Sequence, residues 1–143
     1  DFHEQTISTK KQFEIIDITS IVEKLIKKKR VQKGQVTITT QHTTTAITVN
    51  EKESRLLKDI KYHLDCLAPS DKEYLHDDIH KRRSCPPNEP KNAHAHLKAL
   101  LMGASETIPI VSGKLHLGKW QRIIFVELDG PRKRKISFSF IGK

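Results

Sequence analysis

The sequence predicts an α+β domain, largely antiparallel sheet with about three helices, and three observations carry that expectation. Short runs rich in β-branched or alternating apolar residues recur along the chain, as in Thr43 to Asn50, Ile123 to Leu128 and Ile136 to Phe140. They are joined by tight turn signals such as Ser112-Gly113 and Asp129-Gly130-Pro131, which favour antiparallel neighbours. Three other stretches place apolar residues three and four apart, the period of a helix with one buried face. At 143 residues, with no internal repeat and no interdomain linker, the chain reads as one domain spanning residues 1–143.

Residues 2–9 and 12–16 read as two short strands around Lys10-Lys11. Asp17 or Thr19 then caps a helix carrying Ile18, Ile21, Val22, Leu25 and Ile26, and the run Lys27 to Arg30 suits its C-terminal dipole. After Gly34, the alternation Val36, Ile38, Thr40, His42 predicts a strand with His42 at the open end of its apolar face. Thr43 to Asn50 predicts the next strand. Asn50 and Glu53 match a capping box for a helix whose stripe is Leu56, Leu57, Ile60, Leu64 and Leu67. From Ala68 to Pro90 four prolines and many polar groups indicate a long loop, of the kind that is functional or mobile. Asn92 is the expected cap of a third helix, with Leu97, Leu100, Leu101 and Ala104 as the stripe facing a core. Then come a hairpin over 106–117, the apolar run 123–128, expected to be buried on both faces, and a last strand alternating Ile136, Phe138 and Phe140 with Ser137 and Ser139.

Composition narrows the function classes. No run approaches the roughly 20 apolar residues of a membrane span, and no signal peptide is recognisable, so a cytoplasmic protein is expected. Cys66 and Cys85 lack a C-x-x-C partner, which excludes a zinc knuckle and favours free thiols. Lys and Arg outnumber acids 26 to 17, a net charge of +9 that favours anionic ligands. Aromatic residues make up only 6%, too few for base-stacking platforms, which argues against nucleic acid. No Walker loop, Gly-x-Gly-x-x-Gly fingerprint or Gly-x-Ser-x-Gly elbow is present.

What remains is histidine chemistry. His42 at a strand end and His94 and His96 at a helix start are the candidate metal ligands, since three imidazoles with one open position make a zinc-type catalytic set. Imidazole ligands favour zinc over magnesium among divalent metals. In the loop, Tyr74 to His80 concentrates proton-moving groups. Glu51, His76 and Asp78 are the candidate base, additional ligand or support for a ligand imidazole. Asn92, at the start of the helix that carries the histidine pair, is a candidate substrate contact.

These residues also carry a resemblance. His42 to Glu51, His76-Asp77-Asp78, Glu89 to Leu97, Leu117 to Gln121 and Asp129 to Arg132 stand in order along the chain and resemble the signatures of the YjbQ family. The resemblance implies a homotrimer and adds Asn50, Trp120 and Gln121 as candidate substrate contacts beside Asn92. It also implies a weak thiamine-phosphate-synthase-like activity, joining a pyrimidine-methyl pyrophosphate to a thiazole phosphate with loss of pyrophosphate. The expectation is therefore a metal-dependent enzyme of phosphorylated small molecules. The alternative is a trimeric, non-catalytic scaffold whose basic surface carries an anionic partner.

Overall fold

A computed structural model describes residues 1–143. The elements in chain order are β1 (Phe2–Ser8), β2 (Glu14–Asp17), α1 (Thr19–Lys29), β3 (Lys33–Thr40), β4 (Thr45–Asn50), α2 (Ser54–Leu67), α3 (Ala93–Met102), β5 (Ser105–Val111), β6 (Lys114–Leu115), β7 (Arg122–Glu127) and β8 (Lys133–Gly142). Two 3-10 turns, Leu75–Asp77 and Ile79–Lys81, punctuate the long loop. The strands form a five-stranded sheet, β1-β8-β3-β5-β6, and a three-stranded sheet, β2-β7-β4, in which every pairing is antiparallel. The α+β class and the three helices are as the sequence predicts.

Alternation explains the layering. Val36, Ile38, Ile108, Ile110, Ile136, Phe138 and Phe140 project from one face of the larger sheet and meet Ile47, Ile123 and Phe125 from the smaller one, with α1 closing the core through Ile18, Val22, Leu25 and Ile26. β7 is buried on both sides, because Ile124, Val126 and Leu128 point the other way and pack with Ala46, Ala95 and Ala99. The apolar run Ile123 to Val126 and Leu128 has this double burial as its cause. The Ser112-Gly113 turn takes positive φ at both residues, 50° and 72°, the geometry that lets a two-residue loop follow strand twist.

The third helix lies the other way round from the expectation. Its alanines, with His94 and Lys98, face the protein, while Leu97, Leu100 and Leu101 are 39%, 78% and 60% exposed. Small side chains let α3 come close to the β4/β7 surface, and the leucine stripe is left on the outside of the chain. A periodic stripe shows that a helix has an apolar face; it does not show what covers that face.

Carboxylates satisfy the first-turn N–H groups of all three helices, as expected for Asp17 at α1 and in place of the expected Asn50 and Asn92 at α2 and α3. Glu53 accepts from the N–H groups of Arg55 and Leu56 at 2.9 and 2.7 Å, so α2 begins later than a box started by Asn50 would place it. Asp17 accepts from the Thr19 N–H. At α3, Asp77 accepts from the Ala93 N–H at 3.0 Å, and the Asn92 side chain turns away. An ionised acceptor also suits the positive end of the helix dipole. His42, expected on the apolar face of β3, falls in the turn after it.

Candidate functional site

The first turn of α3 collects the unusual polar chemistry of the chain. Its residues are positioned by three neighbours: the sheet strand β7 with the turn that follows it, the 3-10 turn at Leu75–Asp77, and the loop before Asn92. The Asn92 amide donates to Asp129 Oδ2 at 2.8 Å, which ties the start of α3 to the end of β7. Asp129 also receives Arg132 Nη2 at 3.0 Å, while its backbone N–H donates to Glu127 Oε1. Ala93 is tied to Asp77 as described. The turn is thus pinned from both sides by aspartates.

Within this frame His76 and His96 meet, their ring centroids 4.7 Å apart at an interplanar angle of 72°. Three buried side-chain polar atoms in the chain have no hydrogen-bond partner: His76 Nε2, Asn92 Oδ1 and His94 Nδ1. All three belong to this one turn or to the ring packed against it. Buried polar groups are ordinarily satisfied, so such a cluster calls for a cause. Burial, and after it the adjoining His76 ring, hold the His96 imidazole below its ordinary pKa. Burial and then Lys98 do the same for His94. Both rings are therefore neutral at pH 7, the form that binds a metal or accepts a proton.

The two histidines of the turn serve different spaces. His96, with His76, Tyr74, Lys72 and Ala93, lines a cleft of about 590 Å³. His94, with Lys11, Gln12, Lys61, Ser70 and Lys98, lines another of about 540 Å³. Residues two apart on a helix point about 200° from one another, and the helical backbone from Ala93 onward enforces that divergence. His94 and His96 therefore do not share a ligand position within the chain.

His42 is separate again. Its Nε2 accepts the backbone N–H of Lys135 at 2.8 Å, and its imidazole is held below the ordinary pKa by burial and then by Arg134. The expected first shell of His42, His94 and His96 is not assembled by one chain, and no group of three or more His, Cys, Asp or Glu side chains is placed to hold a metal. Asp78 is half-buried and pairs with Lys81 at 3.0 Å.

The remaining expected site residues lie at the other end of the small sheet. Asn50 faces Arg122 in the β4/β7 register, whereas Thr45 faces Glu127. Five residues of strand put about 17 Å between those ends. Asn50 Oδ1 accepts the Glu51 N–H, and Glu51 is half-buried beside it. Gln121 Oε1 accepts the Gly118 N–H at 2.8 Å, closing the turn before β7, and Trp120 is 63% exposed with Lys119 Nζ over its ring. In one chain these four residues do not reach the histidines.

Sequence reasoning passed over Asp77, Asp129 and Arg132 as structural turn residues, and Glu127 and Arg134 altogether. Glu127 had a visible signal, a carboxylate inside the apolar run Ile123 to Leu128. It is fully buried. Arg134 donates to it twice, from Nε at 2.7 Å and Nη2 at 2.6 Å, and Thr9 Oγ1 adds a bond at 2.9 Å. Burial opposes ionisation of Glu127, but these bonds outweigh it and hold its carboxyl below the ordinary range.

Residues 3–143 match the protein family described as UPF0047 protein YjbQ-like. This chain belongs to the YjbQ family. A UPF0047 protein of Archaeoglobus fulgidus is 46% identical over 133 residues, covering 93% of this chain and 95% of the relative. One from Methanothermobacter thermautotrophicus is 41% identical over 140 residues, covering 98% and 91%. Among solved structures, a YbjQ-like protein of unknown function from Sulfolobus solfataricus superposes with a TM-score of 0.90 at 37% identity, covering 100% of this chain and 97% of that one. A hypothetical protein from Aeropyrum pernix gives 0.89 at 34% identity, covering 100% and 99%. The two-sheet fold is thus that of YjbQ-like proteins. No helix of this YjbQ-like chain is long and apolar enough to cross a membrane.

Proposed function

We propose that the protein is an enzyme acting on phosphorylated small molecules at the His76/His96 cleft, and that it works as a homotrimer. The observation that carries this is the meeting of the His76 and His96 rings, with His76 Nε2 and Asn92 Oδ1 left buried and unpaired beside it. Leaving a buried polar atom unpaired costs about 1–3 kcal/mol, so two of them next to this ring pair fit a place kept for a ligand.

A divalent transition metal fits the imidazole pair. Two imidazoles on one tetrahedral zinc stand with ring centroids about 5 Å apart, given zinc–nitrogen bonds of about 2.0–2.1 Å, and His76 and His96 are at 4.7 Å. Neutral nitrogen donors favour zinc over magnesium. When bound, such an ion supplies Lewis acidity toward a phosphate oxygen. The chain's own groups do the rest. Asp129 fixes the Asn92 amide, leaving Asn92 Oδ1 free to accept from substrate. Asp77 fixes the turn that carries His76. Asp77 also occupies the Ala93 N–H, so the leading edge of α3 is not the phosphate cradle that its position suggests.

The exposed Leu97, Leu100 and Leu101 support assembly, because a leucine stripe on a 10-residue helix is left bare in the single chain. Association would also allow Asn50, Glu51, Trp120 and Gln121 of one protomer to approach the histidines of another. The reaction class implied by family resemblance is attack of a thiazole nitrogen on a pyrimidine methylene, with the carbon–oxygen bond to pyrophosphate breaking. On this proposal it is a side activity of a metal-dependent site. The test is metal content of chelator-free protein together with thiamine phosphate formation. A stoichiometric transition metal and a slow turnover, both lost in His96→Ala, are expected. A protein that holds no metal and turns nothing over, yet binds an anionic protein partner with steep salt dependence, would instead be the trimeric scaffold.

A further inference from the structure

Lys98 presents a problem that the imidazole pair does not solve. Its side chain is only 5% exposed, and its ammonium has three donors, yet its one protein acceptor is Asp65 Oδ1 at 2.5 Å. Asp65 is itself shared, since its Oδ2 receives Lys61 Nζ at 2.6 Å. One carboxylate thus serves two ammonium groups. Lys11 lines the same cleft, and Asp65 is the one acid among its lining residues, so three cations face one anion there. Lys98 is the buried one of the three and uses up Asp65, while the exposed Lys61 and Lys11 at the mouth leave the cleft with two positive charges more than its lining acid matches.

A second, independent feature points into the same space. His94 is buried, lines the cleft beside Lys98, and its Nδ1 has no partner in the protein. Gln12 and Ser70 complete the polar wall, and Phe13 and Leu128 give it apolar sides. The space, about 540 Å³, has room for more than a phosphate group.

We propose that this cleft, on the flank of α3 away from His96, is an oxyanion site that takes the dianionic phosphate of a phosphate monoester, held by Lys98, Lys61 and Lys11 with His94 Nδ1 donating to one oxygen. Two negative charges balance the excess. A tetrahedral phosphate presents several acceptor oxygens, enough for the ammonium donors that Asp65 does not occupy and for the imidazole N–H. Lysine serves here as a point charge, which binds a phosphate without fixing its orientation as a bidentate arginine would. The inference extends the proposed function by locating its phosphate-binding half, yet it stands on its own geometry and holds whether or not the His76/His96 pair is catalytic.

The test is titration of chelator-treated protein with inorganic phosphate, followed by calorimetry and by the ring ¹⁵N signals of His94. Saturable one-site binding is expected, with a chloride control at equal ionic strength producing none. Lys98→Gln should weaken binding roughly tenfold or more, as loss of a charge-assisted bond to phosphate does. Lys11→Gln, at an exposed position, should weaken it several-fold with the fold intact by circular dichroism. His76→Ala should bind phosphate as the parent does, even where metal binding is lost. Absence of saturable binding in the parent, or undiminished binding in folded Lys11→Gln and Lys61→Gln, overturns the proposal. Should Lys98→Gln fail to fold, the two surface lysine variants decide the matter.

Discussion

Glu127 and the first turn of α3 are both rich in buried polar groups, both contact Asp129, and the chain satisfies them in opposite ways. Around Glu127 each carboxylate oxygen receives two donors, from Arg134, Thr9 and the Asp129 backbone, and Arg134 also reaches Thr44 Oγ1 at 3.0 Å. Around α3, His76, Asn92 and His94 each keep an atom buried and unpaired. A buried polar knot that closes on itself fixes structure, here locking β7 to β8 and to the end of β1. One that stays open keeps its interactions for something that arrives later.

The largest effect should come from breaking the closed knot. Arg134→Met leaves Glu127 ionised, buried and unmatched, and should lower unfolding free energy by about 3–5 kcal/mol, measured by urea denaturation. Leu100→Glu and Leu101→Glu should come next in consequence: the chain keeps its helix content, while sedimentation shows the proposed homotrimer dissociating to single chains. On the open side, His76→Ala and His96→Ala should shift stability by no more than about 1 kcal/mol, because neither imidazole hydrogen-bonds to the protein and each loses only its edge contact with the other; their loss should be read in metal content and turnover.

Acid separates the two regions more finely. The lowered pKa of Glu127 means that its contribution is full above the ordinary carboxylate range and disappears as pH falls through the still lower folded value. His94 and His96 also have lowered pKa values, so the unfolded chain takes up their protons first. Their contribution is full above about pH 6.5 and declines as pH falls below it. In chelator-treated protein a shallow loss of stability should begin below about pH 6.5, and His94→Gln with His96→Gln should reduce it, leaving the share that the lowered pKa of His42 contributes. The steeper loss at lower pH should persist in those variants and be blunted in Glu127→Gln.

The same contrast explains what could be read from sequence. Strands were legible because a period of two and turn residues are local, and β7 declared its double burial through six consecutive residues. The orientation of α3 was not legible, since Leu97, Leu100 and Leu101 define an apolar face that the rest of the chain leaves bare. Caps were misplaced by one partner because Asp77, 16 residues before Ala93, supplies the acceptor. The meeting of His76 with His96 depends on a loop whose path has no periodicity to read. That Asn50, Glu51, Trp120 and Gln121 stand about 17 Å along the strand from the Glu127 end follows from β4/β7 register, which tertiary pairing sets.

The most direct test of the open turn is the imidazole ¹⁵N spectrum of the protein under two additions, zinc and inorganic phosphate. Zinc should move the ring nitrogens of His76 and His96, phosphate should move those of His94, and the exposed His63, His80 and His116 should respond to neither. If all of them stay unmoved under both additions, or all shift alike, the unpaired atoms around α3 are not a ligand site.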